Sequence, residues 1–157
     1  MAKTATQPIG KWRAKLEKPH ASHGKIVHVP PGEGKMGMSG DVLIPKPLDV
    51  DALVRKVRKG RLLTVGELRD KLAKAAGADQ SCPLTTGIFL RIVAEAAEED
   101  RVAGKSRITP YWRVVKDDGK LNDKYPGGAK AQAAKLKAEG FAIQPGKGKQ
   151  PPRVVRP

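Results

Sequence analysis

The chain is poor in cysteine and in aromatic residues. Its 157 residues include one Cys, two Trp, two Tyr and two Phe. A single cysteine excludes an internal disulfide and indicates a reducing compartment. No apolar run approaches the roughly 20 residues that a membrane span needs, and the N-terminus lacks the apolar segment of a signal peptide. We therefore expect a cytoplasmic protein with no membrane partner.

Negative charge is also scarce. Lys and Arg number 31 against 16 Asp and Glu, which gives a formal net charge of +15. A positive field of this size concentrates polyanions, and phosphate backbones are common polyanions in a cell. The charge therefore favours a nucleic-acid partner, with a solubilising surface or a ribosome-associated protein as the alternatives.

Composition divides the chain into three segments. Residues 1–44 are rich in Gly, Pro, Lys and His, which predicts a flexible basic tail. Within that tail, residues 11–16 could form a short helix that docks through Trp12 and Leu16. Residues 144–157 predict a second basic Pro/Gly tail. The folded domain is therefore expected at 45–143.

Four helices and one hairpin are predicted inside this domain. Apolar spacing predicts helices at 48–60, 64–77, 81–104 and 127–140. Thr64 and Glu67 stand at capping-box spacing, and Pro83 stands near a first helical position. Residues 112–122 read as strand, Asp-Gly turn and strand. The predicted fold is mainly α with a small β-hairpin, a winged helix-turn-helix with disordered basic tails.

Three short motifs in this order resemble a known family. The sequence 110–115, Pro-Tyr-Trp-Arg-Val-Val, fits the Pro-Cys-His-Arg-Val-Val of alkylguanine-DNA alkyltransferases. Residues 125–128 fit the family's Tyr-Ser-Gly-Gly, and Ala-Glu-Gly at 138–140 also agrees. From about residue 62 to 140 the chain resembles the C-terminal DNA-binding domain of that family, especially the alkyltransferase-like branch without the reactive cysteine.

The resemblance implies a function and a set of site residues. It implies binding of double-stranded DNA, flipping of an alkylated guanine into a pocket, and marking of the lesion for other repair proteins. We expect neither a cofactor nor a metal, and we expect a nucleoid-associated monomer. The lesion pocket would comprise Pro110, Tyr111, Trp112, Arg113, Tyr125, Pro126 and Gly127. The DNA-binding residues would be Thr64, Val65, Leu84, Thr85, Thr86, Gly87, Arg91 and Lys116.

Several of the family's functional residues are replaced. Its nucleophilic cysteine falls on Tyr111 and the neighbouring histidine on Trp112. Its arginine finger falls near Leu84, where an apolar wedge could still unstack a base step. The tyrosine that helps to rotate the target phosphate falls on Val65. A phenol with a pKa of about 10 is a poor nucleophile, so we expect no alkyl transfer at Tyr111. Tyr111 and Trp112 are either walls of a base pocket or core residues.

Other readings remain open from the sequence. Alkyl transfer to Cys82 is one alternative, and a lesion-independent winged-helix DNA binder of the nucleoid or regulatory kind is another. Small residues at 85–87 allow either tight helix packing or close approach of a nucleic acid. Residues 98–100, Glu-Glu-Asp, read as a solvated acidic helix end. The three histidines lack partners at metal-ligand spacing, so no metal site is expected.

Overall fold

The computed structural model describes residues 10–155 and contains five α-helices, seven short strands and two 3-10 turns. The helices are α1 (Lys11–Glu17), α2 (Pro47–Arg55), α3 (Val65–Ala76), α4 (Pro83–Val102) and α5 (Gly128–Ala138). The strands are β1 (Ile26–Val29), β2 (Gly40–Leu43), β3 (Leu63–Thr64), β4 (Gln80–Ser81), β5 (Val114–Val115), β6 (Ala142–Gln144) and β7 (Arg153–Val155). The 3-10 turns are Lys35–Gly37 and Tyr111–Arg113. The described part is therefore mainly helical, with small sheets.

Local signals set the ends of the central helices. The Thr64 hydroxyl accepts a hydrogen bond from the Glu67 amide, and the Glu67 carboxylate accepts one from the Thr64 amide. This confirms the predicted capping box of α3. Gly77 ends α3 with φ at 73°, a left-handed conformation that glycine adopts without strain. Pro83 occupies the first turn of α4, where its missing N–H costs nothing.

The main core surrounds α4. Val93, Ala94 and Ala97 on this helix are fully buried, and Val50 from α2 and Leu68 from α3 pack into the same cluster. Removal of these apolar side chains from water is the principal driving force for packing the helices together. The long helix α4 is therefore the central element of the fold, and part of its surface, at Leu84 and Ile88, remains exposed.

A second, smaller core joins α5 to the C-terminal strands. Leu121, Leu136, Phe141 and Val154 are buried together there. Trp112 packs against this cluster and also against the main one. Its indole therefore joins the two cores.

The predicted N-terminal tail is largely structured over residues 10–44. Leu16 of α1 is 1% exposed in the main core, as the docking hypothesis required. Strand β2 pairs antiparallel with β1 and parallel with β4, and Leu43 is buried in the main core. The composition of the segment does not predict these contacts, because each one joins residues of the segment to residues that are distant in the sequence. The predicted tail residues 1–9 lie outside the described residues.

The predicted hairpin at 112–122 is only partly present. Residues Tyr111–Arg113 form a 3-10 turn instead of a strand, and β5 pairs in parallel with β3. The Asp-Gly turn does form, closed by the Lys116 amide on the Lys120 carbonyl at 3.0 Å. Beyond the turn, Lys120 bridges to Arg153 of β7, which itself pairs with β6. The predicted C-terminal tail thus supplies the pairing expected of a second hairpin strand, and residues 156–157 lie outside the described residues.

Candidate nucleic-acid interface

A groove of about 830 Å³ follows the exposed face of the N-terminal half of α4. Helical spacing places Leu84, Ile88 and Arg91 on this face, and Leu84 and Ile88 are 59% and 51% exposed. Five of the predicted DNA-binding residues line the groove. They are Val65, Leu84, Gly87, Arg91 and Lys116.

Gly87 faces open space in this groove. Apart from its chain neighbours and its own helix backbone, no atom of residues 10–155 lies within 4 Å of the position where a Cβ would stand. Helix packing therefore does not require this glycine, although a glycine inside a helix costs about 0.5–1 kcal/mol relative to alanine. Of the two sequence readings, the open position favours close approach of a partner.

Three other predicted DNA-binding residues have local structural roles. Thr86 is fully buried and its hydroxyl donates to the Cys82 carbonyl at 2.7 Å. Thr64 is buried and caps α3. The hydroxyl of Thr85 donates to the Cys82 sulfur at 3.1 Å in the first turn of α4. Thr64 and Thr86 therefore do not face the groove.

Tyr111 lies in the main core and is 1% exposed, which contradicts its assignment as the wall of an open pocket. Its hydroxyl donates to Glu98 Oε2 at 2.7 Å, and its ring meets Tyr125 edge-on at a centroid distance of 5.2 Å. Burial, the hydrogen bond to Glu98 and the charge of Glu98 raise the pKa of Tyr111 well above its ordinary value. The raised pKa keeps the phenol neutral, and the hydrogen bond to Glu98 holds its hydroxyl in place.

Glu98 is the polar anchor for this tyrosine. Its carboxylate also accepts from Arg101 Nε at 2.6 Å and lies 3.7 Å from Lys135 Nζ. Partial burial raises the pKa of Glu98, but the hydrogen bonds from Tyr111 and Arg101 and the charge of Lys135 outweigh it and leave a lowered pKa. The carboxylate therefore stays ionised beside a neutral phenol.

Trp112 and Arg113 are held by one carboxylate of the segment after α5. The Trp112 indole N–H donates to Glu139 at 2.9 Å, and Arg113 pairs with the same carboxylate at 2.7 Å. Arg113 also donates to the Val57 carbonyl at 2.7 Å. Burial raises the pKa of Glu139. The hydrogen bonds from Arg113 and Trp112 and the nearby positive charges lower it by more, so the pKa of Glu139 is below its ordinary value. We call Trp112, Arg113 and Glu139 the carboxylate clamp.

The remaining predicted pocket residues are divided between two places. Tyr125 is buried, and its hydroxyl donates to the Val114 carbonyl at 3.2 Å. Burial raises the pKa of Tyr125 above its ordinary value. Pro126 and Gly127 form the turn into α5, where Gly127 has φ at 77°. The glycine permits this left-handed turn.

An open depression of about 490 Å³ lies beside the rest of the predicted pocket. Trp112, Arg113 and Pro110 line one part of it, and Arg55 and Arg107 line another. Tyr111 does not line this depression. The structure therefore brings together only three of the seven predicted pocket residues at an open surface.

The acidic residues 98–100 at the end of α4 were predicted to be solvated, and the structure shows instead that they bind other parts of the chain. Glu99 accepts hydrogen bonds from the Trp12 and Arg13 amides at 2.9 and 2.8 Å. Asp100 is buried and pairs with Arg13 at 2.5 Å. These carboxylates bind α1, which lies within the segment that was predicted to be a flexible tail.

Cys82 stands immediately before α4. Its sulfur accepts hydrogen bonds from the amide and hydroxyl of Thr85 at 3.5 and 3.1 Å. The thiol is partly buried and acts as the helix cap. The contacts of Cys82 therefore give it a structural role at the start of α4.

Several residues at or near the groove were missed by the sequence reasoning. Trp12 and Lys15 of α1 line the groove, as do Ile88 and Lys124. Ile88 could have been found, because it stands one turn after Leu84 on the same helical face. That Trp12 lines the groove could not have been predicted from the sequence, because its position depends on the docking of α1 against α4.

The described part of the chain contains neither a membrane-spanning helix nor a metal-binding cluster. Within residues 10–155, no helix is long and apolar enough to cross a membrane. No group of His, Cys, Asp or Glu side chains in this range is arranged to hold a metal ion.

Comparison with known proteins gives a distant likeness among solved structures. No protein-family model matches the chain, and no curated protein does so either. Among solved structures, the chain is similar to S. pombe Atl1, in a crystal structure "in complex with damaged DNA containing O6-carboxymethylguanine". The TM-score is 0.46 and the sequence identity is 18%, over 69% of this chain and 87% of that chain.

Proposed function

We propose that this protein binds duplex DNA through the groove on α4 and transfers no alkyl group. The observation that carries the proposal is the exposed face of α4, where Leu84 and Ile88 project beside Arg91 and Lys116. Basic side chains hold phosphates, and apolar side chains of this kind can wedge between base steps in a minor groove. The net charge of +15 supplies the long-range attraction.

Retention of the alkyl group on the DNA is supported by the state of Tyr111. A group that accepts an alkyl must reach the lesion and carry a nucleophilic lone pair. Tyr111 is buried, its hydroxyl is engaged with Glu98, and its raised pKa opposes formation of a phenolate. The proposed function is therefore DNA binding without catalysis.

Residues 110–115 and 125–128 resemble the alkyltransferase family, and this resemblance extends the proposal to the recognition of a DNA lesion. In that form, the protein binds an alkylated guanine in DNA and marks it for repair proteins. Lesion-independent binding is the second candidate, favoured by the burial of Tyr111, which removes the expected stacking wall.

A charge placed in the groove tests the interface. Leu84→Glu should weaken binding to a fluorescein-labelled duplex by about tenfold or more, because a carboxylate would face the phosphates. Val102→Glu is the matched control, since Val102 is 76% exposed on the same helix. Eighteen residues separate the two positions, about 27 Å along the axis at 1.5 Å per residue. Fluorescence anisotropy at one salt concentration measures both variants.

The same measurement decides between the two candidate functions. Both substitutions change the net charge equally, so equal losses for Leu84→Glu and Val102→Glu would contradict the assigned interface. Wild-type protein is compared on matched duplexes with and without O6-methylguanine. Tighter binding to the methylated duplex supports lesion recognition, and equal affinities support the lesion-independent binder.

Cys82→Ser separates binding from alkyl transfer. We expect this variant to bind both duplexes like the wild type, because a serine hydroxyl can replace the sulfur as the cap of α4. Incubation with DNA that carries a labelled methyl group on guanine should leave no label on wild-type protein. A labelled Cys82 peptide in a tryptic digest would establish an alkyltransferase instead.

A further inference from the structure

Helix α1 is held against α4 by a specific set of contacts. Glu99 accepts from the first amides of α1, Arg13 pairs with Asp100, and Leu16 is buried in the main core. A methyl group at Gly10 would collide with the Glu99 carboxylate, so the chain enters α1 through a close approach. The position of α1 is therefore fixed by side chains on the last turns of α4.

This position gathers three cations around one indole. Lys11 Nζ and Lys15 Nζ lie 5.2 and 4.7 Å from the centre of the Trp12 ring, and the Arg91 guanidinium lies 5.5 Å from it. Each distance is within cation–π range. Arg91 also pairs with Glu95 at 3.6 Å. Within residues 10–155, no carboxylate forms an ion pair with Lys11 or Lys15.

The cationic cluster continues the groove on α4. Trp12 and Lys15 line the same groove as Leu84 and Ile88. Arg91 stands seven residues after Leu84, about 10 Å along the helix axis at 1.5 Å per residue. A duplex that lies over Leu84 and extends along α4 therefore meets the cluster next.

We propose that α1 is a second DNA-contacting element, in which Lys11 and Lys15 hold backbone phosphates of the duplex bound by α4. The clustered ammonium groups repel one another, and phosphates relieve that repulsion more fully than a neutral partner does. Trp12 orders the lysine side chains before binding, which reduces the entropy lost when they meet phosphates. This inference rests on the proposed DNA binding by α4.

The salt dependence of binding tests the proposal with matched variants. The full chain carrying Lys11→Gln and Lys15→Gln keeps polar side chains of intermediate length at both positions but loses both charges. Its plot of log K against log salt concentration should be shallower by about 0.9 for each phosphate that is no longer neutralised, or about 1.8 for the pair. Lys71→Gln with Lys74→Gln, at exposed positions on α3, removes the same charge and should leave the slope unchanged. Lys11→Arg with Lys15→Arg should keep the wild-type slope.

The possible results distinguish this proposal from the one on which it rests. An unchanged slope for the Lys11/Lys15 pair, while Leu84→Glu still weakens binding, overturns the role of α1 alone. An equal change in slope for the Lys71/Lys74 pair also overturns it, because diffuse charge would then explain the effect. Failure of the wild type to bind duplex DNA overturns both proposals. Thermal unfolding of each variant checks that it folds as stably as the wild type.

Discussion

Tyr111→Ala is expected to lower the free energy of unfolding by about 3–5 kcal/mol, the usual cost of truncating a buried aromatic residue. Tyr111 is among the largest fully buried side chains, and it contacts Trp112 and Tyr125 edge-on. Its removal leaves a cavity in the main core and also leaves Glu98 without the phenol hydrogen bond. Urea unfolding followed by circular dichroism measures the loss.

Tyr111→Phe separates packing from the hydrogen bond. Phenylalanine keeps the ring, and Glu98 keeps Arg101 and Lys135, so a loss of only about 1 kcal/mol is expected. If Tyr111→Ala instead unfolds like the wild type but loses affinity only for alkylated DNA, the core assignment is wrong and Tyr111 is a pocket wall. The unfolding of the two variants therefore tests the core assignment, and their affinity for alkylated DNA tests the pocket assignment.

Glu139→Ala is the second substitution with a large expected effect. It leaves the Arg113 guanidinium, 14% exposed, without its carboxylate and removes the acceptor of the Trp112 indole. Breaking a buried pair from one side costs about 3–5 kcal/mol, and because this pair is only partly buried the loss is expected near the lower end, about 3 kcal/mol. Because Trp112 packs against both hydrophobic cores, loss of the carboxylate clamp should weaken the packing between them. Unfolding in urea at neutral pH measures this loss.

The carboxylate clamp also predicts an acid-sensitive contribution to stability. The pKa of Glu139 is lowered in the folded chain from its ordinary value of 4.5, so the folded state binds that proton less tightly than the unfolded state. Its stabilisation is therefore fully present above that value and is lost as the pH falls through the lowered pKa. Glu139→Ala should be less stable than the wild type at neutral pH, with a shallower decline below pH 4.5.

Glu33→Ala is the control for this measurement. Glu33 is exposed and forms no ion pair with any residue in the range 10–155. It should change neither the stability at neutral pH nor the decline in acid. A decline that stays as steep in Glu139→Ala as in the wild type would exclude the clamp as its cause.

The sequence by itself determined α2, α3, α4 and α5, because their signals act within one or two helical turns. The capping box of Thr64 and Glu67, the proline at the start of α4 and the glycine after α3 each act on the nearest backbone groups. The helical period also groups Leu84, Ile88 and Arg91 on one face of α4. The apolar spacing predicted Leu84 and Ile88 to be buried, and only the packing around α4 left them exposed. The net charge needs no structure either.

Tertiary structure decided where α1 lies and what Tyr111 does. Trp12 meets Glu99 across 87 positions of sequence and Arg113 meets Glu139 across 26, and no local pattern encodes such pairings. A Gly- and Lys-rich composition predicted a tail because that prediction weighs the apolar surface of the segment alone. Here Leu16 and Leu43 are buried by α4 and its neighbours. Glu99 accepts from the first amides of α1, and Asp100 pairs with a terminal nitrogen of the Arg13 guanidinium. An aromatic residue such as Tyr111 suits a pocket or a core equally by its chemistry, and only the packing of the surrounding helices placed it in the core.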